Sequence, residues 1–337
     1  MHSFGFLSFG HHGSTGSSFD ARTSLHSAID LAVAADELGV NGAYFRVHHF
    51  ARQGASPMPL LSAIAARTSH IEVGTGVIDM RYENPLQLAE EAAALDLIAD
   101  GRVALGMSRG SPEPAYRGWE TFGYTGSTDP RGADLARAKF STFMDAVRGV
   151  PMVDGDPAQF PGGQRLSVHP HSPRLHRRIW WGAGTRDTAR WAAGEGVNLM
   201  SSTLLTEATG QSLGDLQAEQ IQVYRDAWRE AGHDWEPRVS VSRSVFPIVS
   251  AQDRRLFFGE SQDQIGIIDG FRSTFGRTYA DEPDRLIEQL RADAAVMAAD
   301  TLMLTIPNQM GTDFNLRVLS NFAQYVAPAL GWAPAGE

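Results

Sequence analysis

Apolar residues recur along this chain in two alternating rhythms. Short β-branched runs fit strands, and longer stretches with apolar positions three and four apart fit helices. The segment from Thr68 to Gly110 shows both. Ile71-Glu72-Val73-Gly74-Thr75-Gly76-Val77-Ile78 reads as a strand. Asn84 can then cap a helix that begins at Pro85, where a missing N–H is no loss. Leu88, Ala92, Leu95 and Ala99 share one face of it, Gly101 ends it, and Arg102 to Ser108 forms the next strand. Strand, helix and strand of these lengths make a βαβ unit with parallel strands.

The same alternation predicts further strands at His2–Phe9, Gly42–Val47, Arg178–Gly182, Val197–Ser201, Arg238–Ile248 and Thr301–Ile306. It predicts helices at Thr23–Leu38, Pro57–Arg67, Ala133–Val147, Asp187–Gly194, Leu213–Ala231, Asp284–Ala298 and Phe314–Val326. Eight strand–helix pairs in 337 residues point to a single (β/α)8 TIM-barrel domain over 1–337, not an open doubly wound sheet. Three long irregular stretches, 110–132, 150–177 and 250–280, interrupt the pattern. Loops of that length are uncommon unless functional, so each is expected to wall or cover an active site. The 250–280 stretch, with Phe257, Phe258, Phe271 and Phe275, is expected as a lid over substrate.

Charge and residue usage narrow the function. Lys plus Arg number 29 against 39 Asp plus Glu, a net charge of −10, which argues against general nucleic-acid binding. It leaves room for a local phosphate site built from one or two arginines. The chain has no cysteine, so disulfides, thiolate catalysis and cysteine metal sites are excluded. The start MHSFGFLSFGHHG does not read as a signal peptide, and no run of about 18 apolar residues marks a membrane span. A cytoplasmic protein with no membrane contact is the expectation.

Candidate chemistry falls after or late in the strands, where α/β barrels carry their sites. His48-His49 follows the second strand, and an imidazole there can act as acid, base or donor near neutral pH. The plainer alternative is a pair of loop histidines. Gly74-Thr75-Gly76 closes the third strand and either lets a flat ligand approach the backbone or answers a packing constraint. Ser108-Arg109-Gly110 ends the fourth strand. Gly182-Ala183-Gly184-Thr185-Arg186-Asp187-Thr188 ends the fifth and opens a helix whose free N–H groups suit a phosphate. His169, His171 and His176 lie in a proline-rich loop without a carboxylate cluster, so no metal site is expected. Trp180-Trp181 is expected as core and pocket wall.

Together these blocks resemble the bacterial-luciferase-like, flavin-dependent monooxygenase family. The carrying stretches are VHHF (47–50), SPMPLLSAIAARTSHIEVGTGV (56–77), ENPLQLAEEAAALDLIADGRVALGMSRG (83–110), WWGAGTRDTARWAA (180–193) and DTLMLTIPNQMG (300–311). The resemblance implies a (β/α)8 barrel that binds reduced FMN or, in one branch, a reduced 5-deazaflavin coenzyme. It implies a small-molecule substrate, O2, a separate flavin reductase and a homodimer. His48 matches the histidine beside the flavin that supports its oxygenated form. Ser108 and Arg109, with Gly184, Thr185 and Thr188, fall in the phosphate-binding blocks. Gly74, Thr75 and Gly76 fall beneath the ring, with Thr75-Gly76 matching a bond that is often a non-proline cis peptide. Two departures bear on the reaction. Val47 stands where the luciferase pattern has Glu, which counts against light emission, and the deazaflavin branch's Ser-Asp-His is absent, which favours FMN. The resemblance thus leaves an FMN monooxygenase, a deazaflavin-dependent hydride-transfer enzyme and a non-catalytic flavin carrier as the readings to separate.

Overall fold

The computed structural model describes residues 1–110, 113–206, 209–256, 263–268 and 271–334, with backbone alone at 264–268, 271, 272 and 275. Strands β1 (Ser3–Ser8), β2 (Gly42–Phe45), β3 (Glu72–Asp79), β4 (Val103–Ser108), β5 (Ile179–Ala183), β6 (Asn198–Ser201), β7 (Val239–Pro247) and β8 (Thr301–Ile306) pair in that order, each pair parallel. Strand β8 returns to β1, from Ser3 opposite Thr301 to Ser8 opposite Ile306, and closes the barrel. Helices α1 (Ala21–Glu37), α2 (Pro57–Ala65), α3 (Pro85–Ile98), α4 (Ala133–Val147), α5 (Arg186–Glu195), α6 (Leu213–Ala231), α7 (Pro283–Ala292) and α8 (Thr312–Tyr325) follow the strands. The predicted (β/α)8 architecture is the observed one.

The strands are apolar on both faces because both are covered. Leu7, Tyr44, Ala104, Trp180, Met200 and Met303 fill the barrel interior. The larger core lies between barrel and helices, where Trp181 meets Phe140 of α4 and Trp191 of α5 at ring distances of 4.7 Å each. The strand starts are tied by polar side chains. Tyr44 donates to Glu72 Oε1 at 2.6 Å, while Arg238 donates to Glu72 Oε2 at 2.6 Å and to Thr301 at 3.2 Å. Gly74 belongs to this packing: a Cβ there would stand 2.1 Å from the Ala104 carbonyl oxygen.

Element ends follow local chemistry. Asn84 Oδ1 accepts from the Leu86 and Gln87 N–H groups, with Pro85 next, as expected for α3. Helix α1 starts at Ala21, two residues earlier than predicted, because Asp20 accepts from Thr23 N–H. The helix expected over Asp284–Ala298 is broken. Asp293 ends α7 and caps a short second helix, Ala294–Ala298, with its carboxylate also bonded to Arg243 from β7 and to Tyr279. That break depends on a residue 50 positions away, which no local pattern contains.

Two of the irregular stretches differ from expectation. The 150–177 stretch joins α4 to β5 and so lies on the strand-start face, where Ser172 and Arg178 both bond Asp96. The 250–280 stretch holds a short helix, Ala251–Leu256, and an antiparallel pair, Gln264–Ile268 with Phe271–Phe275. Its end, Thr278–Asp281, adds a parallel strand beside β7. Phe257, Phe258, Gly259 and Gly270 lie outside the described residues. Among the described residues no helix is long and apolar enough to cross a membrane.

Candidate active site

A cavity of about 500 Å3 opens at the strand ends, within the usual range for small-molecule sites. Of the residues singled out from sequence, His48, Gly76, Ser108, Arg109, Gly184, Thr185 and Thr188 line it. Gly74 and Thr75 do not. Thr75 is fully buried and donates its hydroxyl to the Gly106 carbonyl at 2.8 Å, in the β3–β4 wall. The non-proline cis peptide is also one residue further on than expected, at Gly76–Val77. Thr75 still pairs in ladder register with Leu105, and the β3–β4 irregularity begins after it. No residue of 150–177 lines the cavity, which corrects its reading as an active-site wall. An αβ connection runs on the opposite end of the barrel from the βα loops.

One part of the lining is built for an anion. Thr185 is the N-cap of α5, its Oγ1 accepting from Thr188 N–H at 3.1 Å and sharing a 2.9 Å bond with Thr188 Oγ1. The helix start thus presents backbone donors and two hydroxyls. Arg109, Arg131 and Arg137 line the same cavity. The last two escaped the sequence reading because they come from the 110–132 excursion and the start of α4, where position depends on how the excursion folds back.

That folding back rests on a buried network. Asp79 at the end of β3 receives Nε and Nη2 of Arg81, and Arg81 Nη1 donates to the Arg131 carbonyl at 3.1 Å. Lys139 of α4 donates to the Arg81 carbonyl at 2.7 Å. Gly110 has φ +86°, and a Cβ on it would stand 2.0 Å from Asp79 Oδ2, so only glycine fits beside the pair. Burial works against the charge of Arg81, but its bonds to Asp79 outweigh this and raise its pKa. Among the described residues, Asp79 and Glu113 are the acids of the lining. Asp79 is committed to Arg81, and Glu113 to the Tyr82 hydroxyl and the His49 N–H. Among the described residues the lining thus carries four arginines (46, 109, 131 and 137) against two acids, in a chain of net charge −10.

His48 stands on the β2 side. Its Nε2 accepts from Arg46 Nε at 3.0 Å, and Arg46 lies over the Phe9 ring at 4.7 Å. Arg46 precedes His48 by two, the spacing that puts two side chains on one side of an extended chain, which is the signal that could have found it. His49 turns away, stacked on Tyr82 at 4.0 Å. Burial first, then Arg46, His49, His11 and Arg81, push His48 down to about 4, so it is neutral at physiological pH. Burial lowers His49 and His11 as well. The sign for stability follows: unfolded chain takes up protons below about 6.5 while the folded ring does not. The stability this confers is complete above about 6.5 and is lost as pH falls toward about 4. Urea unfolding across that window should show the loss, and His48→Gln should flatten it. An equal slope in the variant would assign the loss elsewhere.

The donor set fits a phosphate ester, and the apolar part of the lining, including Leu7, Val77, Met200 and Met303, fits a flat ring beyond it. Among the described residues no group of three His, Asp or Glu side chains is placed to hold a metal ion.

Known proteins bear on this arrangement. The oxygenase component of flavin-dependent trigonelline monooxygenase from Acinetobacter baylyi is 26% identical over 239 residues, 69% of this chain and 62% of that one. The oxygenating constituent of 3,6-diketocamphane monooxygenase from Pseudomonas putida, in complex with FMN, superposes with a TM-score of 0.70 at 18% identity, over 97% of this chain and 99% of that one. The coenzyme F420 dependent tetrahydromethanopterin reductase from Methanopyrus kandleri superposes with a TM-score of 0.67 at 15% identity, over 98% of this chain and 99% of that one. The matches to the first three curated relatives span 48%, 54% and 62% of their lengths. The luciferase-like monooxygenase profile matches residues 1–257, and the chain belongs to that family.

Proposed function

We propose that this chain is an FMN-dependent monooxygenase that oxidises a small organic substrate with O2, taking its reduced flavin from a separate reductase. The observation that carries this reading is the joining in one cavity of the α5 N-terminus, Arg109, Arg131 and Arg137 with His48. Reduced FMN, when bound, supplies the electrons that activate O2, and the protein's part is to bind, orient and keep water out. Thr185, Thr188 and the guanidinium groups hold the phosphate, while Gly76 and Gly182 let the ring lie close to the backbone. His48 offers a hydrogen bond at the reacting side. Leu204 lines the cavity and belongs to the Leu204–Leu205 segment that pairs with Phe271–Phe275, which supports 250–280 as the cover over substrate. Limited proteolysis tests the cover: cleavage within 250–280 should slow when FMN is bound, and an FMN-independent rate would count against it. A homodimer accompanies this reading, and its mass in solution checks it.

The phosphate anchor has a direct test. Arg109→Ala should weaken FMN binding by about 1.5–3 kcal/mol, the range for a hydrogen bond to a charged group. Riboflavin, which lacks the phosphate, should bind wild type and variant alike. Equal losses for the two flavins would show that Arg109 is structural and not an anchor.

A further inference from the structure

The Arg46–His48 contact fixes more than a position. A guanidinium has N–H donors and no acceptor. When Arg46 Nε donates to His48 Nε2 at 3.0 Å, that nitrogen carries no proton and its lone pair is occupied. The charged and titratable neighbours of His48 come from several elements: Arg46 just after β2, His11 after β1, Arg81 after β3 and the adjacent His49. All of them oppose a positive ring, and burial does too. The acids on this side, Asp79 and Glu113, are bonded to Arg81 and to Tyr82 with the His49 N–H. A neutral ring without a proton on Nε2 carries it on Nδ1. Arg46 is itself well placed to impose this. Its N–H bonds the Ser8 carbonyl at 2.9 Å, and its guanidinium rests on Phe9, whose ring lies parallel to that of His11.

We propose that Arg46 is a positioning residue that commits His48 to the neutral, Nδ1-protonated tautomer, so that His48 serves the reaction as a hydrogen-bond donor and not as a base. The tautomer follows from the protein alone, whereas the part it plays in the reaction rests on the monooxygenase reading. The Arg46 bond sets the ring and the place of its proton before any group arrives, which is the condition for a preorganised donor.

The test is the nitrogen spectrum of the histidine rings in full-length protein without flavin, with His48 assigned by its loss in His48→Gln. Wild type should show His48 protonated on Nδ1 and bare on Nε2 at neutral pH. Arg46→Met should lose that preference, and its His48 midpoint should rise by more than about one pH unit. Arg46→Lys, which keeps a donor-only cation, should retain more of the wild-type pattern. In turnover, Arg46→Met should lower kcat with little change in FMN affinity and bring a new ionisation into the pH profile. A wild-type His48 with its proton on Nε2 overturns the proposal without any variant. So does an Arg46→Met spectrum unchanged in tautomer and midpoint. Because the spectrum needs no flavin, the tautomer result stands or falls separately from the choice of coenzyme.

Discussion

Replacing His48 by alanine is expected to slow turnover about 100- to 1000-fold, the cost of removing one preorganised donor from a developing charge. FMN affinity should change little, because the proposed phosphate anchors lie just after β4 and at the starts of α4 and α5, not at the end of β2. His48 is 9% exposed and accepts a bond from Arg46, whose own N–H is held by the Ser8 carbonyl, so the strand end should keep its place without the ring. His49→Ala should behave differently. It removes a ring stacked on Tyr82 and packed edge-on against Phe122, and its loss should fall on stability more than on kcat. Stopped-flow reoxidation of reduced FMN on the protein, with kcat once a substrate is found by screening, gives the comparison. A folded His48→Ala protein with wild-type kinetics and product yield would remove His48 from the mechanism.

The second large effect is structural and lies under the proposed phosphate end. Asp79 is 1% and Arg81 6% exposed, and the two share a bidentate pair. Asp79→Ala leaves the Arg81 charge buried without that carboxylate, and breaking such a pair costs about 3–5 kcal/mol. Arg81 also holds the Arg131 carbonyl, so FMN binding should weaken along with stability. Removing both charges together, as Asp79→Leu with Arg81→Met, should recover much of the folding loss, since the cost comes from the orphaned charge. FMN affinity should stay low in that double variant, because Arg131 has lost its support. Denaturant unfolding of the three proteins decides the matter. A single variant within about 1 kcal/mol of wild type, the scale of an ordinary substitution, would show that the pair carries little.

The fold was legible where local chemistry and long-range packing agree. Helices α4 and α6 and strand β8 begin and end where the apolar rhythm put them. The Asn84-Pro85 start of α3 was readable for the same reason, as its cap is made within three residues. Legibility failed where a distant residue decides. Asp293 splits a helix because Arg243, 50 residues earlier in the chain, bonds its carboxylate, and Gly74 is needed where a Cβ would meet the Ala104 carbonyl. The site followed the same rule. His48, Arg109, Thr185 and Thr188 stand at strand ends, where topology alone aims residues at the cavity. Arg131 and Arg137 needed the fold of an excursion that carries no repeating pattern, and the 150–177 stretch was long without being on the right face.

The proposed reaction uses reduced FMN to place oxygen from O2 into a small organic molecule. The most direct measurement supplies the purified chain with either reduced FMN or the reduced deazaflavin coenzyme, under isotopically labelled O2, across a panel of small organic compounds. The expected result is labelled oxygen in a product with FMN, and no turnover with the deazaflavin. Hydride transfer from the deazaflavin to an acceptor, with no label incorporated under either coenzyme, would contradict it.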